Sequence, residues 1–123
     1  MEKQDFKFGQ LIKHSETLLE AVVDNGVMIG PEEVRECNRF IHDKFKQPYS
    51  VLVNNINDYS VEFDAMMIAG SSPYEKKIGI LTYRPSTRMA LESAVDVQNM
   101  LYPEKKISFF HHRDEAIEWL NDL

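Results

Sequence analysis

The chain has 123 residues, of which 43% are hydrophobic and 28% are charged, a composition ordinary for one folded domain. Its formal net charge of −6 argues against nucleic acid or an anionic membrane surface as the main partner. A single cysteine, Cys37, excludes an intramolecular disulfide, and no stretch reads as a signal peptide or a membrane span. We therefore expect one cytoplasmic domain that spans residues 1–123.

The first part of the chain predicts an antiparallel hairpin followed by a helix. Apolar residues alternate over Phe6–Lys13 and Leu18–Asn25, and a polar connection of about four residues joins them. Residues 30–33 combine a proline with two glutamates, which is typical of a helix start. Cys37 falls on the inward face of that helix, so we interpret it as a core residue and not as a nucleophile.

The remainder of the chain alternates short apolar runs with amphipathic stretches. We predict strands over Tyr49–Val53, Lys77–Tyr83 and Ile107–Phe110. A helix follows each strand, the first capped by Ser60, the second over Pro85–Tyr102 and the third over Asp114–Leu120. Strands joined by crossover helices run parallel. The expected fold class is α/β, with the order ββαβαβαβα, a mixed sheet of about five strands and about four helices.

Three segments resemble a known family. They are Val51–Val53 before a polar loop, Ile78–Leu81 before a long helix, and the closing segment Phe110–Leu120, in which an acidic helix start precedes an alanine and a Trp-Leu pair. They are similar to the STAS/SEC14-like (SpoIIAA-like) family of small bacterial domains, which is related to anti-sigma-factor antagonists. The resemblance implies a STAS-like fold and a regulatory or binding role. It also implies a functional serine after the central strand, here Ser60, although the family's Asp-Ser-(Ser/Thr)-Gly run is replaced by Asp58-Tyr59-Ser60-Val61.

Polar residues follow the carboxyl ends of the predicted parallel strands. Ligands of open α/β sheets settle at that rim, and helix amino-termini there attract anions. Arginines at the rim add charge-assisted hydrogen bonds. The predicted partner- or ligand-binding residues are Asn54, Asn55, Asp58, Ser60, Arg84, Ser86, Arg88 and His112.

The sequence shows no pattern of catalytic or metal-binding residues. His111 and His112 are adjacent, so on an extended chain they point to opposite faces and do not grip one ion. No nucleophile, base and oxyanion donor occur in a fixed register. We therefore expect no metal, no cofactor and no enzymatic activity.

Two functions fit these patterns. The first is a regulatory or protein-interaction module that contacts a protein partner through the rim, with phosphorylation of Ser60 as a switch. The alternative is a small-ligand-binding domain that takes an anion at the helix amino-termini or an apolar molecule between the second and third helices. Because Phe6–Lys13 is predicted as an apolar edge strand, we also expect pairing of two copies as a homodimer.

Overall fold

The computed structural model describes residues 1–123 and contains eight strands and four helices. The strands are β1 (Glu2–Phe6), β2 (Gly9–Ser15), β3 (Leu18–Val23), β4 (Met28–Ile29), β5 (Tyr49–Asn55), β6 (Ser60–Val61), β7 (Glu75–Thr82) and β8 (Lys106–Phe110). The helices are α1 (Pro31–Lys44), α2 (Phe63–Ile68), α3 (Pro85–Leu101) and α4 (Arg113–Asn121). None of these helices is long and apolar enough to cross a membrane.

A six-stranded sheet in the order β1-β2-β3-β5-β7-β8 forms the centre of the molecule. Strands β1, β2 and β3 pair antiparallel, whereas β3, β5, β7 and β8 are parallel neighbours. Strands β4 and β6 form a separate parallel pair. The predicted α/β class, with an antiparallel hairpin followed by parallel strands and four helices, is therefore confirmed.

The amino-terminal segment differs from the prediction. Phe6–Lys13 is not one strand, because the chain turns at Lys7 and Phe8 and adds β1 in front of β2. Gly9 allows the chain at this turn to lie close to the backbone of β3, since a Cβ atom there would lie 2.2 Å from the Val22 carbonyl oxygen. The sheet therefore has six strands instead of about five, and β1 forms its amino-terminal edge, opposite β8.

The two faces of the sheet carry different helices. On one face, Leu11, Leu19 and Val51 pack with α1 residues. Helix α2 lies next to α1, and α3 lies next to α2 and contacts β7 and β8. On the other face, Leu52 and Leu81 pack against the single helix α4. Alternate residues of each strand point to opposite faces, so the parallel strands need apolar residues at nearly every position.

Buried lysines tie two helix ends to the sheet. The Lys13 ammonium donates to the Lys44 carbonyl oxygen at the end of α1, at 2.9 Å. The Lys77 ammonium donates to the Trp119 carbonyl oxygen at the end of α4, also at 2.9 Å. The last carbonyls of a helix have no partner within it and carry partial negative charge, so both contacts stabilise the helix ends.

Candidate functional site

The rim residues predicted from the sequence separate into three places. Asn55, Asp58, Ser60 and Ser86 line one cleft between the β5–β6 segment and α3. Arg84 and Arg88 belong to the start of α3, on the same side of the sheet. Asn54 and His112 lie on the opposite face, toward α4. The single rim site expected from the sequence is thus divided by the sheet.

We name the first place the α2–α3 cleft, a space of about 330 Å³. Its mouth is polar and consists of Asn57, Asp58, Ser60, Ser86 and Thr87. Its floor is apolar and consists of Val61, Met66, Leu91 and Ala94. A concave site with an apolar floor and a few polar groups is typical of small-molecule binding.

Ser60 reaches the cleft from a strand and not from a helix. Its backbone N–H donates to the Val27 carbonyl oxygen at 2.9 Å, and residues 60–61 pair with β4. The prediction that Ser60 caps the next helix is therefore wrong, since α2 begins at Phe63 with Glu62 as its N-cap. The tertiary pairing with β4 holds Ser60 extended, and its side chain is exposed.

Asn55 and Tyr59 form the rigid inner wall of the cleft. Asn55 is buried at the end of β5, and the Tyr59 hydroxyl donates to its Oδ1 atom at 2.5 Å. Burial raises the pKa of Tyr59 to about 12, so the phenol remains a neutral donor. The Asn55 amide donates to the Val53 carbonyl oxygen at 3.3 Å. Both side chains serve to shape the cleft.

The charged residues around the mouth are neutralised by neighbours. The Arg84 guanidinium forms an ion pair with Asp58, and both side chains are exposed. The Arg88 guanidinium lies 4.9 Å from the centre of the Phe109 ring and 3.9 Å from Glu92. The first turn of α2 carries the acidic Asp64 next to the N-cap Glu62. An anion would therefore meet carboxylates at one of the two helix starts.

A second space, which we name the inner cavity, lies between α3 and the sheet. It measures about 210 Å³, and 11 of its 14 lining residues are hydrophobic. It adjoins the α2–α3 cleft, because Val61, Met66, Leu91 and Ala94 line both. Cleft and cavity thus share a wall of apolar side chains.

Helix α3 stands off the sheet above this cavity. None of its 17 residues is buried. Leu91, Ala94 and Val95 line the cavity, whereas Ala90 and Leu101, which helical spacing predicts to point inward, are exposed. The side chains at these cavity-facing positions do not fill the space below the helix.

Side chains of α3 attach it to α2. The Gln98 amide donates to the Ala69 carbonyl oxygen at 3.2 Å and also to the carbonyl oxygen of Met66. The Tyr102 hydroxyl donates to the Met67 carbonyl oxygen at 3.0 Å. These bonds satisfy carbonyls at the end of a six-residue helix, which would otherwise be unpaired.

The opposite face carries a polar cluster that the sequence analysis missed. Glu20 is 3% exposed in β3 and accepts two hydrogen bonds from the Arg113 guanidinium, at 2.6 and 3.0 Å. The Asn54 amide donates to it at 2.9 Å, and His14 Nε2 lies 2.7 Å from it. The sequence signal for this cluster was the glutamate between Leu19 and Ala21 in an apolar strand, since a buried charge needs partners.

The environment of Glu20 keeps it ionised. Burial alone would raise the pKa of its carboxyl, but hydrogen bonds from Arg113, His14 and Asn54 outweigh burial and lower that pKa to about 2. Asn54 also accepts a bond from the Tyr83 hydroxyl at 2.9 Å. The cluster fixes the start of α4 on the sheet, so we assign Asn54 this positioning role.

The other residues considered for chemistry lie away from the cleft. Cys37 is partly buried in α1, and burial, with Glu36 and Glu33 nearby, raises the pKa of its thiol to about 12. His112 is the exposed N-cap of α4 and makes no side-chain capping bond. No group of three or more histidine, cysteine, aspartate or glutamate side chains is arranged to hold a metal ion.

The edge of the sheet does not have the character that the sequence analysis expected. The outer strands are β1 and β8, and at the amino-terminal edge, where the prediction lies, the β1 residues Glu2, Lys3, Gln4 and Asp5 are all exposed and polar. The apolar β2 lies inside the sheet. Charged edge strands discourage pairing with another sheet, so the premise of the homodimer prediction is wrong while the oligomeric state itself stays a prediction.

Comparison with solved structures identifies the fold. An uncharacterised protein of the DUF3478 family from Shewanella loihica PV-4, whose crystal structure has a SpoIIAA-like fold, matches this chain with a TM-score of 0.59. The match covers 89% of this chain and 90% of that chain at 15% sequence identity. The STAS-like fold predicted from the sequence is thereby confirmed. The chain matches no protein-family model and no curated protein sequence.

Proposed function

We propose that this SpoIIAA-like domain is a non-catalytic binding module that takes a small amphipathic molecule into the α2–α3 cleft and the inner cavity. One observation carries the proposal: a 17-residue helix without a buried residue stands over an apolar cavity that adjoins a polar cleft. An apolar group that enters the cavity removes its lining from water, which favours binding. The cleft, at about 330 Å³, lies at the lower end of the range of about 300–1,000 Å³ that is usual for ligand pockets, and the inner cavity, at about 210 Å³, lies below that range.

The side chains of the cleft favour binding over catalysis. Asp58 is exposed and engaged in an ion pair with Arg84. The Tyr59 phenol is a neutral donor already engaged by Asn55. A ligand would place its apolar part below Leu91 and leave its polar part among the hydroxyl and amide groups of the mouth.

Filling the cavity tests this function. We expect octanol, titrated into ¹⁵N-labelled protein, to shift the amide signals of Met66, Leu91 and Ala94 saturably. Ala94→Trp fills the shared wall and should weaken binding by about tenfold or more, which corresponds to about 1.4 kcal/mol.

The matched control carries the same substitution on the solvent side of the same helix. Met89 is 72% exposed, so Met89→Trp should bind octanol like the unmodified protein. Equal binding by Ala94→Trp and Met89→Trp would contradict a site beneath α3. Unchanged thermal unfolding of both variants would show that the comparison concerns binding.

A second candidate function is recognition of a protein partner at the rim. Two large apolar side chains are exposed there, Ile56 at 57% and Tyr83 at 49%. Ser60 is exposed at the mouth of the α2–α3 cleft and open to phosphorylation, which would add negative charge near Asp58 and so alter that part of the rim.

The second candidate predicts a rim-dependent complex. Ile56→Arg should remove a specific protein that the unmodified chain retains from a cell extract, and Ser60→Asp should change its affinity. The control is Met100→Arg, an exposed position at the opposite end of α3 from Tyr83. Retention of the same proteins by all of these variants would exclude the rim as their contact.

A further inference from the structure

A buried ion pair lies at the end of the inner cavity remote from the cleft. Glu75, the first residue of β7, has its Oε2 atom 2.9 Å from the Lys105 ammonium. Their side chains are only 7% and 3% exposed. Burial raises the pKa of the Glu75 carboxyl, and the charge and hydrogen bond of Lys105 oppose that effect.

The two members of the pair are placed differently with respect to the cavity. Glu75 lines the inner cavity, together with Gly70 and Gln98. Lys105 is not among the lining residues, and its ammonium lies 4.7 Å from the centre of the Tyr102 ring. The apolar lining of the cavity therefore ends at the Glu75 carboxylate, whose charge is balanced by Lys105 outside the lining.

Because Gly70 has no side chain, there is room next to it for the Glu75–Lys105 pair. Its φ angle is +69°, and a Cβ atom there would lie 2.5 Å from Glu75 Oε2 and 3.3 Å from Lys105 Nζ. A larger residue would push against both charged groups. The same carboxylate also borders the apolar space of about 200 Å³ beneath α1, so Glu75 is the acidic group common to both cavities.

We propose that Glu75 makes the inner cavity selective for an apolar molecule with an uncharged hydroxyl group, a specificity that rests on the proposed function. A hydroxyl donates a hydrogen bond to the carboxylate and leaves the net charge of the buried pair at zero. A carboxylate ligand would face a like charge without access to Lys105. An ammonium ligand would add an unbalanced positive charge to a pair that is already neutral.

Three probes with one chain and different head groups test this inference. Octanol, octanoate and octylamine are titrated separately into the labelled protein at pH 7, with the amide signals of Gly70 and Glu75 as reporters. We expect octanol to bind about tenfold more tightly than octanoate or octylamine, since hydrogen bonds to charged groups are among the stronger ones.

The variants separate the role of Glu75 from general packing. Glu75→Gln combined with Lys105→Met keeps the volume and removes both charges, so the preference for octanol should fall to within about twofold. Glu75→Asp keeps the pair but withdraws the carboxylate by one methylene, so it should weaken octanol binding with little effect on octanoate. If the double variant does not fold, Glu75→Asp alone decides the question.

Each outcome distinguishes this inference from the proposed function. Tighter binding of octanoate or octylamine than of octanol, or an unchanged preference in the Glu75 variants, would overturn the hydroxyl selectivity and leave the binding function standing. Absence of saturable binding by all three probes would overturn both.

Discussion

Helices α4 and α3 lie on opposite faces of the sheet and pack against it to different extents. Helix α4 has nine residues and buries Ala116 and Leu120 completely, against Leu52 and Leu81, which are also fully buried. Helix α3 has 17 residues and buries none. Close packing on the α4 face supplies stability, because cohesive contacts are made there. The α3 face leaves room for another molecule, and length alone does not make a helix part of the core.

The largest expected effect is on the closely packed face. Leu120→Ala should lower the free energy of unfolding by about 3–4 kcal/mol, because it opens a cavity beside Gly79 and Leu52. Leu91→Ala, which removes the same atoms from the α3 face, should cost less than about 1 kcal/mol, since Leu91 is already next to open space. Urea denaturation of both variants measures the difference, and equal losses would remove the contrast between the faces.

An intermediate effect is expected from the polar cluster on the α4 face. Glu20→Gln should lower the free energy of unfolding by about 1–2 kcal/mol at pH 7, because the Arg113, His14 and Asn54 donors lose a carboxylate. The pKa of Glu20 is about 2 in the folded chain against an ordinary value of 4.5, so its stabilisation is present above pH 4.5.

The stability difference between the unmodified protein and Glu20→Gln is expected to depend on pH. Folding lowers the pKa of Glu20, so the stability it contributes should be lost as the pH falls from 4.5 toward 2. The stability gap between the unmodified protein and Glu20→Gln should therefore close over that interval. A gap that stays constant down to pH 2 would show that the substitution acts through packing instead of charge.

The smallest effect is expected at the mouth of the cleft. Arg84→Ala removes an exposed ion pair with Asp58, and such pairs contribute about 0–1 kcal/mol. We expect a loss of less than about 0.5 kcal/mol at low salt and none at high salt. Thermal unfolding at two salt concentrations measures it. A loss of 2 kcal/mol would mean that the Arg84–Asp58 ion pair at the mouth of the cleft stabilises the fold more than an exposed ion pair is expected to.

The sequence predicted those parts of the fold that depend on local patterns. The buried runs beginning at Tyr49 and Lys77 and the helix starts at Pro31 and Pro85 carry strong signals of apolar content and backbone geometry. The β4–β6 pair has two residues per strand, too few for any periodicity, and its pairing determines that Ser60 is extended. The sequence analysis therefore placed Ser60 correctly in the segment after β5, but assigned it to a helix start instead of a strand.

The candidate site was predictable only in part for a similar reason. The sequence analysis placed an apolar ligand between the second and third helices, where the α2–α3 cleft lies, and binding there stays a prediction. The separation of Asn54 and Asn55 onto opposite faces follows from strand alternation and could have been recognised. The pairing of Glu75 with Lys105 joins residues 30 positions apart, and no local pattern indicates it.

The bonds from Gln98 and Tyr102 to the end of α2 also affect how the molecule opens. A six-residue helix is too short to persist alone, and its terminal carbonyls depend on side chains of α3. Movement of α3 away from the sheet would therefore release α2 as well, so the two helices form one cooperative opening unit. Amide hydrogen exchange should report this as a common, fast rate for α2 and α3, with α4 exchanging far more slowly. A bound ligand would slow both helices together, although it touches chiefly one of them.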